Sequence, residues 1–219
     1  MSTTVDLEAL DLAALVASRV CHDVISPVGA IVNGLEVLED ESDEEMRTFA
    51  LDLVRKSARQ ASARLQFARL AFGAAGSAGA QLDTGDAEQV TRGFLQDSKT
   101  VLEWSVPRLL LPKARVKLLL NLVVVAISTI PRGGTVRVSG IGEGEDTGFR
   151  LEAQGHAARI PPDLEALLAG EAPHGRIDAH VIQPFYTGLV ARDAGMRVAM
   201  SIEGDRVSIT AERVHQPAL

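Results

Sequence analysis

A run of apolar residues at heptad spacing, from Leu7 to Leu38, constrains this chain more than any other feature. Leu7, Ala14, Cys21, Val28 and Leu35 share one heptad position, and Leu10, Ala17, Val24, Ile31 and Leu38 share the position three residues later. Every one of them is apolar. A period of 3.5 residues describes a helix whose stripe packs in a coiled coil or helical bundle. The pattern predicts a first helix from near Thr4 or Asp6 to about Asp40. It also places Cys21, the single cysteine, in the core as a small hydrophobe rather than a redox thiol.

An acidic turn, Glu39 to Asp43, follows, and Ser42 with Glu45 reads as a capping box that opens a second helix. Leu51, Val54, Ala58, Ala61, Leu65, Ala68 and Phe72 give this helix its own stripe. Gly73 and the Gly/Ala/Ser-rich residues after it end the helix. Residues 1–75 thus form an antiparallel hairpin and residues 76–85 a linker. One apolar seam is too little core for a free hairpin, so two copies are expected to pair into a four-helix bundle.

His22 lies one residue past a heptad core position, which projects its ring from the bundle flank toward solvent. Asp23 can accept the imidazole N–H, fixing the tautomer, or hold a proton during attack. Ser26 stands one turn above His22 on the same face. Pro27 removes the N–H that would bond the Asp23 carbonyl and bends the axis there. Stability alone explains such a group poorly.

The string His22-Asp23-x-x-Ser26-Pro27 resembles the H-box of two-component sensor histidine kinases, where the histidine carries phosphate on a dimerising helical hairpin. With the turn near Glu41-Ser42, the level of His22 on the second helix is about residue 61. Arg59, Ser62 and Arg64 therefore become candidates to face a phosphorylated His22, together with Ser26 on its own helix. Surface solubility is an equally good reading of the arginines.

The net charge of −7 argues against nucleic acid as the main partner. Apolar residues make up 46% of the chain and aromatics only 4%, a balance that suits helix packing. The first residues carry no basic signal-peptide pattern. The longest apolar stretch, Leu118 to Ile130, is too short to span a bilayer and contains Asn121. These features predict a cytoplasmic protein that does not enter the membrane. His156, His174, His180 and His215 lack ligand-like spacing with other donors and read as surface or packing residues; no metal site is expected.

Residues 86–219 read as a second domain. A helix opens at Asp86-Ala87-Glu88 and runs to about Asp97; Thr100 to Val106 alternates as a strand. Pro112 opens an apolar helix to about Ile130. Strands follow at Thr135–Ser139 and Phe149–Ala153, separated by the acidic, glycine-rich loop Gly140 to Gly148. Pro161-Pro162-Asp163 begins a short helix to Ala169, and another covers about Ala179 to Ala194. Met196–Glu203 and Arg206–Ala211 form a hairpin turned at Gly204-Asp205. Helices on one face of a mixed, mostly antiparallel sheet make an α/β sandwich, so the fold class is α+β.

This order is similar to the Bergerat-type ATP-binding domain that follows the hairpin in histidine kinases. Asn121, followed by Gly133-Gly134-Thr135-Val136, resembles that family's N-box and the strand after it. The ATP chemistry is degenerate here. The second magnesium-holding asparagine of the family is replaced by Val125, which removes a hard oxygen ligand. Ala153-Gln154-Gly155-His156-Ala157 stands where an adenine-reading aspartate and a second glycine belong. Only Thr187-Gly188-Leu189 resembles the phosphate loop, and Gly188 could equally serve packing. No ATP binding is expected.

A phosphoryl-accepting helix beside a degenerate ATP site is similar to the dimeric histidine phosphotransferases of the ChpT type. That resemblance implies a phosphorelay. His22 takes phosphate from the receiver aspartate of a hybrid histidine kinase and passes it to response-regulator receivers in cell-cycle type signalling. Mg²⁺ belongs to the receiver, and this chain binds no cofactor. Receivers would dock below His22 on Ile25, Gly29, Val32 and Asn33, although Ile25 and Val32 could equally thicken the dimer core. A non-catalytic scaffold or kinase inhibitor and an ATP-dependent kinase with divergent boxes remain as alternatives.

Overall fold

The structure is a computed structural model that describes residues 3–4, 7–40, 42–73, 80–144, 147–172 and 175–214. Helices α1 (Ala9–Asp40) and α2 (Glu44–Ala71) form the antiparallel hairpin. Helix α1 begins later than its apolar pattern suggests. Thr3–Thr4 instead forms a short strand, β1, paired antiparallel with β7 (Glu171–Ala172) of the second domain. Helix α2 is capped by Asp43, not by the expected Ser42–Glu45 box. The Asp43 carboxylate accepts the Glu45 and Met46 N–H groups at 2.9 and 3.1 Å, and an anion at this end also suits the helix dipole.

The hairpin seam uses only one of the two heptad rows. Val24, Ile31 and Leu38 turn toward α2, with Pro27 and Gly34 buried on the same side. Ala14, Cys21, Val28 and Leu35 stay on the surface, so Cys21, expected in the core, is exposed in the single chain. One neighbouring helix covers one row and no more. The stripe of α2 divides in the same way: Val54, Ala61 and Ala68 face inward, whereas Leu51, Ala58 and Leu65 are exposed. Gly34 marks the closest approach, because a Cβ there would lie 2.7 Å from Val54 Cγ2 and 3.2 Å from the Ala50 carbonyl.

Among the described residues α1 is the helix long and apolar enough to cross a membrane, a property the stretch Leu118–Ile130 did not reveal. Arg19, His22 and Asp23 near its middle would be costly in lipid.

The second domain begins earlier than expected. Gln81–Asp83 forms β2 and pairs with β4 (Leu110–Pro112). Helix α3 (Thr84–Leu95) opens at Thr84 under an Asp83 cap rather than at Asp86. Residues 81–85, read as linker, therefore belong to the domain, and residues 76–79 lie outside the described ones. The remaining elements are β3 (Thr100–Ser105), α4 (Lys113–Ser128), β5 (Gly134–Ile141), β6 (Gly148–Gln154), α5 (Leu164–Leu168), α6 (Ile182–Asp193), β8 (Met196–Glu203) and β9 (Arg206–Arg213). The sheet order is β3-β5-β6-β9-β8, parallel only between β3 and β5.

Helix α4 is apolar nearly all round because it is buried nearly all round, between the sheet, α6 and the end of α2. Leu118, Leu119, Leu122 and Val123 pack there with Phe149, Leu151 and Ile209 from the strands. Contacts along both helices bind the hairpin to this domain, among them Lys56 Nζ of α2 at 3.9 Å from Asp97 Oδ2. At the start of α1, Leu7, Leu12, Leu15 and Val16 pack against Leu167, Ile182 and Phe185. At the end of α2, Phe67 stacks on Phe94 with ring centroids 4.3 Å apart, and Phe72 tilts against Tyr186 at 5.5 Å.

Candidate functional site

The site is built on the proline in α1. Residue 27 has no N–H, so the Asp23 carbonyl loses its helical donor. Arg64 of α2 fills that place, donating from Nη1 to the Asp23 carbonyl oxygen. The Asp23 side chain is held separately: Arg19 Nε donates to Oδ2 at 3.1 Å. The other carboxylate oxygen, Oδ1, stands 3.7 Å from Nδ1 of His22. The His22 side chain is 78% exposed, whereas Asp23 retains only 25% exposure. The geometry presents a solvent-facing imidazole beside an aspartate whose carboxylate is held by Arg19 and whose backbone carbonyl is held by Arg64. An oriented base next to an accessible ring nitrogen is what nucleophilic histidine chemistry requires.

Ser26 is exposed one turn beyond His22. Ile25 and Val32 are exposed at 67% and 49%, Asn33 is exposed, and a Cβ on Gly29 would meet nothing within 4 Å. These residues lie together on the C-terminal side of His22 on α1.

The arginines are placed differently from one another. Arg64 reaches the level of His22 but bonds the neighbouring carbonyl. Arg59 instead lines a cleft of about 490 Å³ between α2 and α3, with Asp52, Arg55, Lys56, Gln96 and Asp97. Five residues along a helix turn the side chain by about 140°, so Arg59 and Arg64 cannot serve one face. Within a single chain the fold does not bring Arg59 to His22. Ser62 is exposed and accepts from Gln66 Nε2 at 3.1 Å. Arg19 escaped the sequence reading, although its place four residues before Asp23 was a legible signal.

The kinase-like positions in the second domain have taken structural roles. Asn121 is fully buried, and its Nδ2 donates to the carbonyls of Ala71 and Lys117 at 3.0 and 2.8 Å. Its Oδ1 accepts Gln183 Nε2 at 2.7 Å, so one amide ties α2, α4 and α6 together. Val125 is buried and forms part of the wall of an apolar cavity of about 370 Å³ between α4, α5 and α6. Ala153 is buried in β6. A Cβ on Gly188 would sit 2.0 Å from the Leu168 carbonyl oxygen, so this glycine permits the close crossing of α5 and α6. These groups do not fit a magnesium nucleotide, because Asn121's amide is committed to the protein and Val125 offers no oxygen.

Electrostatics follow the same division. Burial pushes the Lys117 ammonium below its ordinary value, helped by Lys113, and burial pushes the Tyr186 phenol above its own. The Gly85 N–H, and then Arg108 at 2.8 Å, hold the Asp83 carboxylate below the usual range.

The chain is similar throughout to known phosphotransferases. The protein phosphotransferase ChpT of Brucella abortus (strain 2308) is 49% identical over 212 residues, which cover 97% of this chain and all of that protein. A bacterial phosphotransferase structure at 1.7 Å superimposes with a TM-score of 0.87 and 47% identity, over 95% of this chain and 99% of the other. The model of the histidine phosphotransferase C-terminal domain matches residues 84–206, which is most of the second domain. The whole-length identity and the matched second domain agree: the chain belongs to the histidine phosphotransferase family.

Proposed function

We propose that His22 is the phosphoryl carrier of this phosphotransferase, accepting from the receiver aspartate of a hybrid histidine kinase and delivering to response-regulator receivers. The observation that carries the reading is the exposed His22 imidazole beside an Asp23 held by Arg19 and Arg64. In the first transfer, Nε2 of the neutral ring attacks the phosphorus of the aspartyl phosphate in line with the departing oxygen. The N–P bond forms, the P–O bond breaks, and its electron pair returns to the receiver carboxylate. The Nδ1 proton stays on the ring, where Asp23 Oδ1 faces the positive charge that develops. Mg²⁺ of the receiver neutralises charge on the transferring group. Delivery to the second receiver reverses these steps.

Ser26 stands close enough along the helix to donate to phosphate oxygens, and Ile25, Gly29, Val32 and Asn33 supply an open apolar and polar strip for the receiver. Arg64 supports the site by holding the Asp23 backbone, and Arg59 would reach phosphate only from another chain. The exposed row Ala14, Cys21, Val28 and Leu35, with Leu51 and Leu65 of α2, is matched to a second copy. Pairing two hairpins along it gives a four-helix bundle and a homodimer. The chain works in the cytoplasm, without nucleic acid or membrane, and binds neither ATP nor a metal of its own.

The test is transfer from a labelled, phosphorylated receiver to wild-type protein and to His22→Ala, with a parallel lane given ATP alone. Label on the wild type only, and none from ATP, is the expected result. Label from ATP would make the chain a kinase; no label in any lane, across several receivers, would favour a scaffold.

A further inference from the structure

We infer that Arg19 is a positioning residue for phosphotransfer: it fixes the Asp23 carboxylate against Nδ1 of His22 and is itself seated by the second domain. The inference rests on the reading of His22 as the carrier.

Asp23 has two oxygens with two neighbours. Arg19 Nε takes Oδ2 at 3.1 Å, which leaves Oδ1 on the side of His22 Nδ1. The pair is poorly explained by helix stability. Acid before base is the favoured order at four-residue spacing, and here the base comes first, so the gain to an isolated helix is small. Nor is this a free surface pair: the side chains of Arg19 and Asp23 are 26% and 25% exposed. Arg19 borders both spaces at the junction of α1 with the second domain, alongside Phe94, Val124 and Gln183. Arg19 therefore faces residues of α3, α4 and α6 across these spaces while its Nε holds the carboxylate of α1.

The arrangement gives the degenerate domain work at the transfer site. Through Gln183, the wall against which Arg19 sits is tied to Asn121 and thence to the Ala71 carbonyl at the end of α2. The polar ties run separately on each side of that wall, Gln183 to Asn121 behind it and Arg19 to Asp23 in front, so the domain bounds the arginine by shape. At 3.7 Å Oδ1 acts on Nδ1 through its charge rather than through a hydrogen bond, and a carboxylate on that side favours the proton there and leaves Nε2 as the nucleophile.

Two measurements on the full-length protein test this. In long-range ¹H–¹⁵N correlation spectra, the wild-type His22 ring should carry its proton on Nδ1. Arg19→Gln should give a mixture of tautomers, and Arg19→Lys should restore most of the wild-type form. In transfer from a phosphorylated receiver, Arg19→Gln should lower the rate at saturating receiver about tenfold, as removal of an outer-shell partner does, with the half-saturating concentration unchanged. The double variant Arg19→Gln/Asp23→Asn should be no slower than Asp23→Asn alone. An unchanged tautomer, a full rate in Arg19→Gln, or losses that add in full would each overturn the inference. A raised half-saturating concentration would do so too, because Arg19 would then be a receiver contact. If the wild type accepts no phosphate, the carrier reading fails, while the tautomer comparison still judges Arg19.

Discussion

The two halves of the molecule treat their apolar residues in opposite ways. In the second domain, α4 is wrapped by the sheet, α6 and the end of α2, and Leu118, Leu119, Leu120 and Leu122 are fully buried. In the hairpin, the equally apolar α1 leaves Val28 and Leu35 at 41% and 47% exposure, and Leu65 of α2 at 50%. The second domain completes its own core; the hairpin is half of a core. The difference separates apolar surface that a single copy covers from apolar surface that it leaves open, the latter available to the second copy we propose. His22, the carrier we propose, lies on the less covered half.

Substitutions can break this contrast, and they rank by size. Leu119→Ala removes a fully buried side chain and should cost about 2–5 kcal/mol, independent of protein concentration, in denaturant melts. Val28→Asp leaves a single copy nearly unharmed. It places a charge in the second seam and should weaken dimerisation roughly a hundredfold in sedimentation equilibrium. A dimer unaffected by Val28→Asp would put the partner surface elsewhere. Asn121→Ala leaves the Ala71 carbonyl and Gln183 amide without their partner, and should cost about 1–3 kcal/mol while loosening the end of α2 in hydrogen exchange.

Asp83→Ala should give the smallest fall in melting temperature of the four, through loss of the α3 cap. Its pH dependence has a definite sign. The folded carboxyl titrates below the unfolded one, so its contribution is present above the ordinary carboxylate value of 3.8 and is lost as pH falls through the lowered folded value. Acid unfolding of Asp83→Asn should therefore lack that part of the wild-type loss.

The sequence disclosed the hairpin, the sandwich and the closing turn at Gly204-Asp205 because each is written in local pattern. Heptad spacing reports that two rows are apolar but not which neighbour covers each, and so Cys21 was assigned to a core that the single chain does not build. Strands β1, β4 and β7 have two or three residues each, too few for alternation to register. At the site, the orphaned Asp23 carbonyl is legible from Pro27 alone, whereas the sequence suggests phosphate rather than this carbonyl as the partner of Arg64. The role of Asn121 was hidden because its partners Ala71 and Gln183 lie 50 and 62 residues away in sequence. Local reading registers that Val125 offers no oxygen, but not that the Asn121 amide ties α2, α4 and α6 together.

The antiparallel hairpin is fastened along one side of its length. The start of α1 is held by α5 and α6, the end of α2 by α3 and α4, and farther along α2 Lys56 Nζ lies 3.9 Å from Asp97 Oδ2 just beyond α3. Mechanically it is a beam supported past the level of His22, with an overhang from there to the turn. At 1.5 Å per residue, Lys56 stands about 18 Å from the start of α2, which is the length of that overhang. Deflection grows with distance from the last support, so the imidazole rides on the braced part, while Val32 and Asn33 lie toward the overhang. One beam can in this way hold a ring nitrogen steady and still let the surface beyond it give to the receivers we propose.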